Sequence, residues 1–303
     1  MKNPSVLLIG GCGYIGSYLY KRLVENGIQP LVVDALKRGN PGRIPCVEQD
    51  YDSLGKEELD KFDTVIWFAG HSSVQQAQSD PHGALANNCL NLFSFAKRLK
   101  PSAKLIYASS GSLYSSADWT SCVPSRENEL VAIPYQNAYD ISKFAFDYLA
   151  ENFLKNLFAL RMGTLAGYSE NLRSELLFNA MSLSAATSGK VFVKNSDAGR
   201  TILFLDDLWL LVNQLLNDSA VPGIYNAGSL SGTIGEFARA IADTFGAEVV
   251  NQGNSETYSF MLDTSRMDAL VRNSRQNLSL SQRSREFINS CRQNGLAGHK
   301  FGI

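Results

Sequence analysis

Four consecutive apolar residues, Val6-Leu7-Leu8-Ile9, run directly into Gly10-Gly11-Cys12-Gly13-Tyr14-Ile15-Gly16. An apolar run with no polar interruption suits a strand buried on both faces of a parallel sheet. The glycines stop that strand and open a helix to about Asn26, with Gly27 at the position just past its end. A strand, a tight glycine turn and a helix N-terminus let backbone come close to a pyrophosphate, which then faces unsatisfied N–H groups and the positive end of the helix dipole. The expected ligand is a dinucleotide, held at Gly10, Gly13, Tyr14, Ile15 and Gly16. Two glycine patterns overlap, Gly11-x-Gly13-x-x-Gly16 and Gly10-x-x-Gly13-x-x-Gly16, so the turn alone does not choose among dinucleotide-binding families.

The next strand, Leu31-Val32-Val33, ends in Asp34. A carboxylate there accepts hydrogen bonds from both adenosine ribose hydroxyls and repels a 2′-phosphate, which favours NAD over NADP. Lys37 and Arg38 follow closely and blunt that preference.

The chain is long enough, at 303 residues, for one large α/β domain or for a domain with a smaller appendage. Its 28 Lys+Arg nearly balance 29 Asp+Glu, and no basic cluster is interleaved with aromatics, so nucleic acid is not an expected partner. No apolar run approaches the roughly 18 residues of a membrane span, and the N-terminus lacks a signal-peptide core. A cytoplasmic protein with no membrane partner is expected. Five scattered cysteines and three distant histidines, His71, His82 and His299, show no metal-ligand spacing, and no metal is expected.

A short strand near Cys46-Val47 leads to Asp50-Tyr51, where the acid either bonds the adenine amino group or is an ordinary loop acid. Thr64-Val65-Ile66-Trp67-Phe68-Ala69-Gly70 reads as a fourth apolar strand ending in small residues, which leave room for a cofactor at its end. Ala84 to Leu99 reads as a helix in which the poor helix formers Asn87 and Asn88 mark either a bend or a functional placement. A fifth strand, Lys104 to Ala108, enters the hydroxyl cluster Ser109-Ser110-Gly111-Ser112. The strongest chemical candidate is Tyr139-x-x-x-Lys143. Positions four apart share a helix face, so an ammonium could favour ionisation of the phenol and let it act as acid or base near neutrality. The spacing is common by chance; its place after the glycine turn, Asp34 and the Ser-rich strand end is not. Leu157 to Thr164 reads as a sixth strand, Asp206 to Asn217 as a helix and Ile224 to Asn226 as a strand. Thr233-x-x-Glu236 is a capping box for a helix to Phe245, and a last helix spans Gln282 to Gln293.

Together these residues resemble the extended short-chain dehydrogenase/reductases, in particular the nucleotide-sugar epimerase/dehydratase branch typified by UDP-galactose 4-epimerase. The resemblance runs from Val6 to about Asn226 and includes Asn87-Asn88, Pro124-x-x-Glu127, Leu160-Arg161-Met162-Gly163-Thr164, and Arg200 followed by Asp206-Asp207. It implies a Rossmann-type doubly wound parallel sheet over residues 1–167, with returning segments near 200–228, and a smaller C-terminal α/β substrate domain over 168–303. It further implies NAD as cofactor, touched also by Asn88, Ser109, Tyr139, Lys143 and Gly163, and a nucleotide-sugar substrate touched by Ser110, Ser112, Thr164, Asn179 and Arg200. Tyr139 would be the acid/base, Lys143 would hold the nicotinamide ribose, and Ser110 would bond the sugar oxygen, with Ser112 as its substitute. A homodimer through the helices at about Ala84–Leu99 and Tyr139–Phe153 is implied as well.

Epimerisation is the expected reaction; keto-sugar reduction and NAD binding without turnover are the alternatives. The Asp-Glu pair that the 4,6-dehydratases of this branch carry is replaced by Gly111 and Ser112. Other departures are Thr164 in place of Asn, Ser115 in place of Gly, Ser72 in place of the Lys of UDP-galactose epimerases, and a stretch from Val249 to Ser259 without Arg.

Overall fold

The computed structural model describes residues 4–115, 122–129, 137–217, 220–255, 257 and 259–295. His299 lies outside them. Seven strands form the main sheet: β1 (Val6–Ile9), β2 (Leu31–Asp34), β3 (Val47–Glu48), β4 (Thr64–Trp67), β5 (Lys104–Ser110), β6 (Leu157–Met162) and β7 (Gly223–Ala227). Their spatial order is β7-β6-β5-β4-β1-β2-β3, and every neighbouring pair is parallel. The chain therefore winds outward from β1 through β2 and β3, then returns to β4 on the other side of β1. That reversal opens a crevice at the strand C-termini, where doubly wound sheets bind ligands.

Alternation along the strands divides the core between the two faces. Leu8, Val32, Ile66 and Phe158 pack with Leu19 and Leu23 of helix Tyr14–Glu25 and Leu208 and Leu211 of helix Leu205–Leu216. Leu7, Val33, Val65 and Tyr107 pack on the opposite face with Phe95 and Phe146. Trp67 fills that second layer against Tyr51 and Phe95, with ring centroids 4.6 and 4.9 Å away.

A third apolar cluster has its own elements. Strands Thr164–Ala166, Gly199–Phe204 and Leu230–Thr233 form a small sheet, and Lys190–Val193 pairs with Glu248–Asn251. Phe178, Val191, Phe237, Ile241 and Phe287 are buried among them and the helices Leu177–Ser188, Ile234–Phe245 and Leu280–Gln293. The capping box at Thr233 and Glu236 is present, and a second one, Ser279 with Gln282, starts the last helix two residues earlier than its apolar pattern suggests.

Other elements also differ from the sequence reading: the fourth strand ends at Trp67, short of Gly70. The expected sixth strand does not continue to Thr164: it ends at Met162, and Thr164 starts a strand of the small sheet. Gly163 makes the break because the two sheets approach closely there; a Cβ on it would stand 2.6 Å from the Thr201 carbonyl oxygen. The expected helix from Ala84 to Leu99 starts at Pro81, capped by Asp80, and ends at Ala96. Its middle, Ala86–Leu90, is a π turn centred on the asparagine pair. No helix of the described residues is long and apolar enough to cross a membrane.

Candidate active site

The crevice beside β1 is a cleft of about 250 Å3 lined by Gly10, Gly13, Tyr14, Ile15 and Gly16, by Asp34, Asp50 and Tyr51, and by Phe68, Ala69 and Gly70. The glycine turn is tight for steric reasons. Gly10 has φ of 80°, and a Cβ there would lie 2.7 Å from the Ala69 nitrogen; at Gly16 it would lie 2.1 Å from the Gly10 oxygen. Gly13 is different, since a Cβ there would meet only the Gly10 oxygen at 3.5 Å. What it would fill is the cleft. Gly13 is also the N-cap of helix Tyr14–Glu25, which has no side-chain cap and no acid in its first turn. That leaves a donor-rich end suited to a phosphate.

Asp34 is set at the tip of β2 by two backbone donors, Cys12 N–H to Oδ2 at 2.9 Å and Leu36 N–H to Oδ1 at 2.8 Å. Tyr51 donates to Asn87 Oδ1 at 3.1 Å and accepts from Asn91 at 3.0 Å, and burial pushes its phenol up to about 12. The cleft lining thus fits the dinucleotide expected from the sequence.

Beyond this cleft, β5 delivers Ser110 and helix Ala138–Phe153 delivers Tyr139 and Lys143. Asn137 caps that helix, with Asp140 N–H donating to its Oδ1 at 2.8 Å. Lys143 is buried, donates Nζ to the Ala108 carbonyl at 2.8 Å, and lies 5.9 Å from the Tyr139 ring centroid. Desolvation lowers its ammonium from the usual lysine value to about 8, so it remains mostly protonated at neutrality. Ser110 Oγ meets Ser112 Oγ at 2.7 Å, and Ser112 donates to Asp140 Oδ1. Asn137 Nδ2 donates to the other oxygen, Oδ2, at 2.5 Å. A carboxylate only accepts, so the single Ser112 proton is committed to Asp140 and the Ser110 proton to Ser112. Ser110 can offer its proton to a ligand oxygen only by turning away from Ser112.

Several expected contacts are turned inward. Asn88 is buried and bonds the backbone of His71, at 3.0 Å through its oxygen and 3.1 Å through its nitrogen, and Ser142 Oγ at 3.0 Å; its neighbour Asn87 is the one that lines the cleft. Ser109 points to the other face of β5 from Ser110 and donates to Asp147 at 2.9 Å. Asn179 is 0% exposed, and its amide is used on Gly167 N–H, the Arg173 carbonyl and the Tyr14 hydroxyl. Arg200 is buried over the Phe260 ring and donates to the Gly199 carbonyl at 2.8 Å and Thr257 at 3.0 Å. Asn88, Ser109 and Asn179 thus bond the protein's own groups around the site. Gly163 sits at the strand break, donating to the Ala227 carbonyl at 2.8 Å, and Thr164 opens the small sheet opposite Ile202.

The sequence reading missed His71, Gln76, Asn171 and Arg173, all on the cleft lining. Asn171 and Arg173 arrive from the segment after Ala166, and no local pattern places that segment over the glycine turn.

A dinucleotide cleft at the switch point of a parallel sheet, with Ser110 at the end of β5 and Tyr139 and Lys143 on the helix packed beside that strand, is the arrangement of the extended short-chain dehydrogenase/reductase class. The model of the NAD dependent epimerase/dehydratase family matches residues 6–228, and the chain belongs to that family. It is 29% identical over 187 residues to a UDP-glucose 4-epimerase of Azospirillum brasilense, covering 58% of this chain and 48% of that one. It is 26% identical over 269 residues to an ADP-L-glycero-D-manno-heptose-6-epimerase of Brachyspira hyodysenteriae, covering 79% and 81%. Only 36 to 48% of the length of the first curated UDP-glucose 4-epimerases is matched. The solved UDP-glucose-4-epimerase of Stenotrophomonas maltophila, with bound NAD and formylated UDP-arabinopyranose, superimposes with a TM-score of 0.80 at 19% identity, covering 97% of this chain and 100% of that one. At that identity the likeness concerns the fold.

Proposed function

We propose that the protein is an NAD-dependent epimerase of a nucleotide-diphosphate sugar, working through a transient keto-sugar. The observation that carries this reading is the grouping of Ser110, Tyr139 and Lys143 at the strand ends beside the dinucleotide cleft. Bound NAD supplies the acceptor and donor of a hydride. Tyr139 removes the proton of the sugar hydroxyl and later returns it. Lys143 favours the ionised phenol through its charge, and the Ala108 carbonyl fixes its ammonium. Ser110 turns its proton from Ser112 onto the same sugar oxygen and orients it, since that hydroxyl's single proton goes to Tyr139. The second unit, built around the third apolar cluster and the helices Leu177–Ser188, Ile234–Phe245 and Leu280–Gln293, grips the nucleotide portion, with Arg200 released from Thr257 as its diphosphate contact. Dehydration is disfavoured: among the described residues the carboxylate bonded to this serine chain is Asp140, with one oxygen taken by Ser112 and the other by Asn137.

A proton NMR time course with NAD and a panel of UDP-, dTDP-, GDP- and CDP-sugars tests the reading. One sugar is expected to develop a new anomeric signal with no net accumulation of NADH. Interconversion of none of them, or stoichiometric NADH oxidation by a keto-sugar, overturns it.

We further propose a homodimer. Leu85, Leu90 and Ile141 are exposed on the paired helices, and Tyr148 and Phe153 are 62% and 61% exposed. Light scattering is expected to give twice the 33.2 kDa chain mass, and a Tyr148→Asp, Phe153→Asp double variant half of that. A wild-type protein that stays at the chain mass at high concentration removes the dimer.

A further inference from the structure

Residues 167–176 leave the small sheet and cross the glycine turn. Their backbone is held at several points: the Tyr14 hydroxyl donates to the Gly167 carbonyl at 2.7 Å, and Ser169 donates to the Tyr14 carbonyl at 2.7 Å. Asn171 donates to the carbonyls of Cys12 at 3.0 Å and Arg38 at 3.2 Å. Asn179 donates to the Arg173 carbonyl at 2.9 Å. The segment is a strap that carries Arg173 to the lining of the cleft that Gly13, Tyr14 and Ile15 also line.

Two guanidinium groups converge there on Ser72. Arg38 Nη2 donates to Ser72 Oγ at 3.1 Å, and Arg173 Nη1 lies 3.4 Å from the Ser72 carbonyl. Ser72 is the position where the resembling epimerases have a lysine. The lining carries Lys37, Arg38 and Arg173 against two carboxylates, Asp34 and Asp50, and Asp34 already accepts two backbone bonds. Arg173 also pairs with Glu175 at 2.7 Å, but that partner is 61% exposed, and such a pair is weak and readily exchanged.

We propose that Arg173, supported by Arg38, binds the diphosphate bridge of NAD and supplies in space the cationic charge absent at Ser72. A guanidinium presents parallel N–H groups that match phosphate oxygens, and the strap fixes its approach before the ligand arrives. This rests on the family's cofactor and not on the identity of the sugar.

Calorimetric titration of the full-length protein with NAD and with ADP-ribose, which retains the diphosphate, reads the contact directly. Arg173→Gln is expected to weaken both ligands by about tenfold to a hundredfold, with Arg173→Lys in between. Adding Ser72→Lys to Arg173→Gln is expected to recover most of the loss, an outcome that a purely structural role for Arg173 does not produce. Wild-type affinity is also expected to fall more steeply with salt than that of Arg173→Gln. Unchanged affinity in Arg173→Gln, or a loss that Ser72→Lys fails to restore, overturns the assignment. If Arg173→Gln does not fold, unchanged affinity in Arg173→Lys with an unaltered salt dependence overturns it. A wild-type protein that binds neither ligand removes the cofactor reading itself.

Discussion

Tyr139→Phe is expected to turn over the proposed sugar substrate about 10²- to 10⁴-fold more slowly than the wild type, the range for loss of a positioned acid/base group. The substitution removes one oxygen and leaves the ring beside Lys143, so the helix cap at Asn137 and the Lys143 bond to Ala108 persist. NAD affinity and melting temperature are therefore expected to stay near wild type while kcat collapses. Steady-state kinetics on the sugar identified by NMR, with NAD titration of the same sample, check both halves. A variant with wild-type kcat moves the proton transfer elsewhere, and a variant that loses NAD as well turns Tyr139 into a cofactor-holding residue.

The second large effect concerns stability. Arg161 is buried beneath the site, with Nε 2.8 Å from Asp147 Oδ2 and Nη1 2.6 Å from the Tyr114 hydroxyl. Arg161→Met leaves Asp147 buried without its counter-charge, which costs about 3–5 kcal/mol, a large share of a typical domain's stability. Burial pushes the Asp147 carboxyl up from the usual carboxylate range while Arg161 pulls against it. A carboxyl whose folded value lies above its unfolded one binds protons more tightly when folded. Its contribution is then fully present below the unfolded value, about 3.9, and is lost as pH rises through the folded one. Without Arg161 the folded value climbs further. Urea unfolding is therefore expected to show the largest deficit at about pH 8 and a smaller one at about pH 5. Equal deficits at both would mean that lost packing, and not the stranded carboxylate, sets the cost.

Much of the fold was legible because it rests on local rules. The apolar run before Gly10, the acid ending β2, the capping box at Thr233 and the left-handed Gly246 after it all follow from backbone demands that one short stretch displays. The cleft residues on strand tips were legible for the same reason. Side-chain direction was harder. Ser109 and Ser110 differ by one position, and only the pairing of β5 decides which of them meets Asp147 and which Ser112. Asn88 and Asn179 have the residue type of a ligand contact, yet backbone groups from segments 17 and 12 residues away consume their amides. Arg173 was invisible because its place depends on a crossing between segments distant in the chain.

The π turn at Ala86–Leu90 has a consequence for how two surfaces are joined. One extra residue in the turn rotates everything after it relative to everything before it. Leu85 and Leu90, five apart, both stay on the outer face, while Asn87 turns to Tyr51 in the cleft and Asn88 to His71 and Ser142. A regular helix would not hold all three sets of contacts in register. The same five residues therefore join the apolar outer face to the Tyr51 side of the cleft through one helical turn.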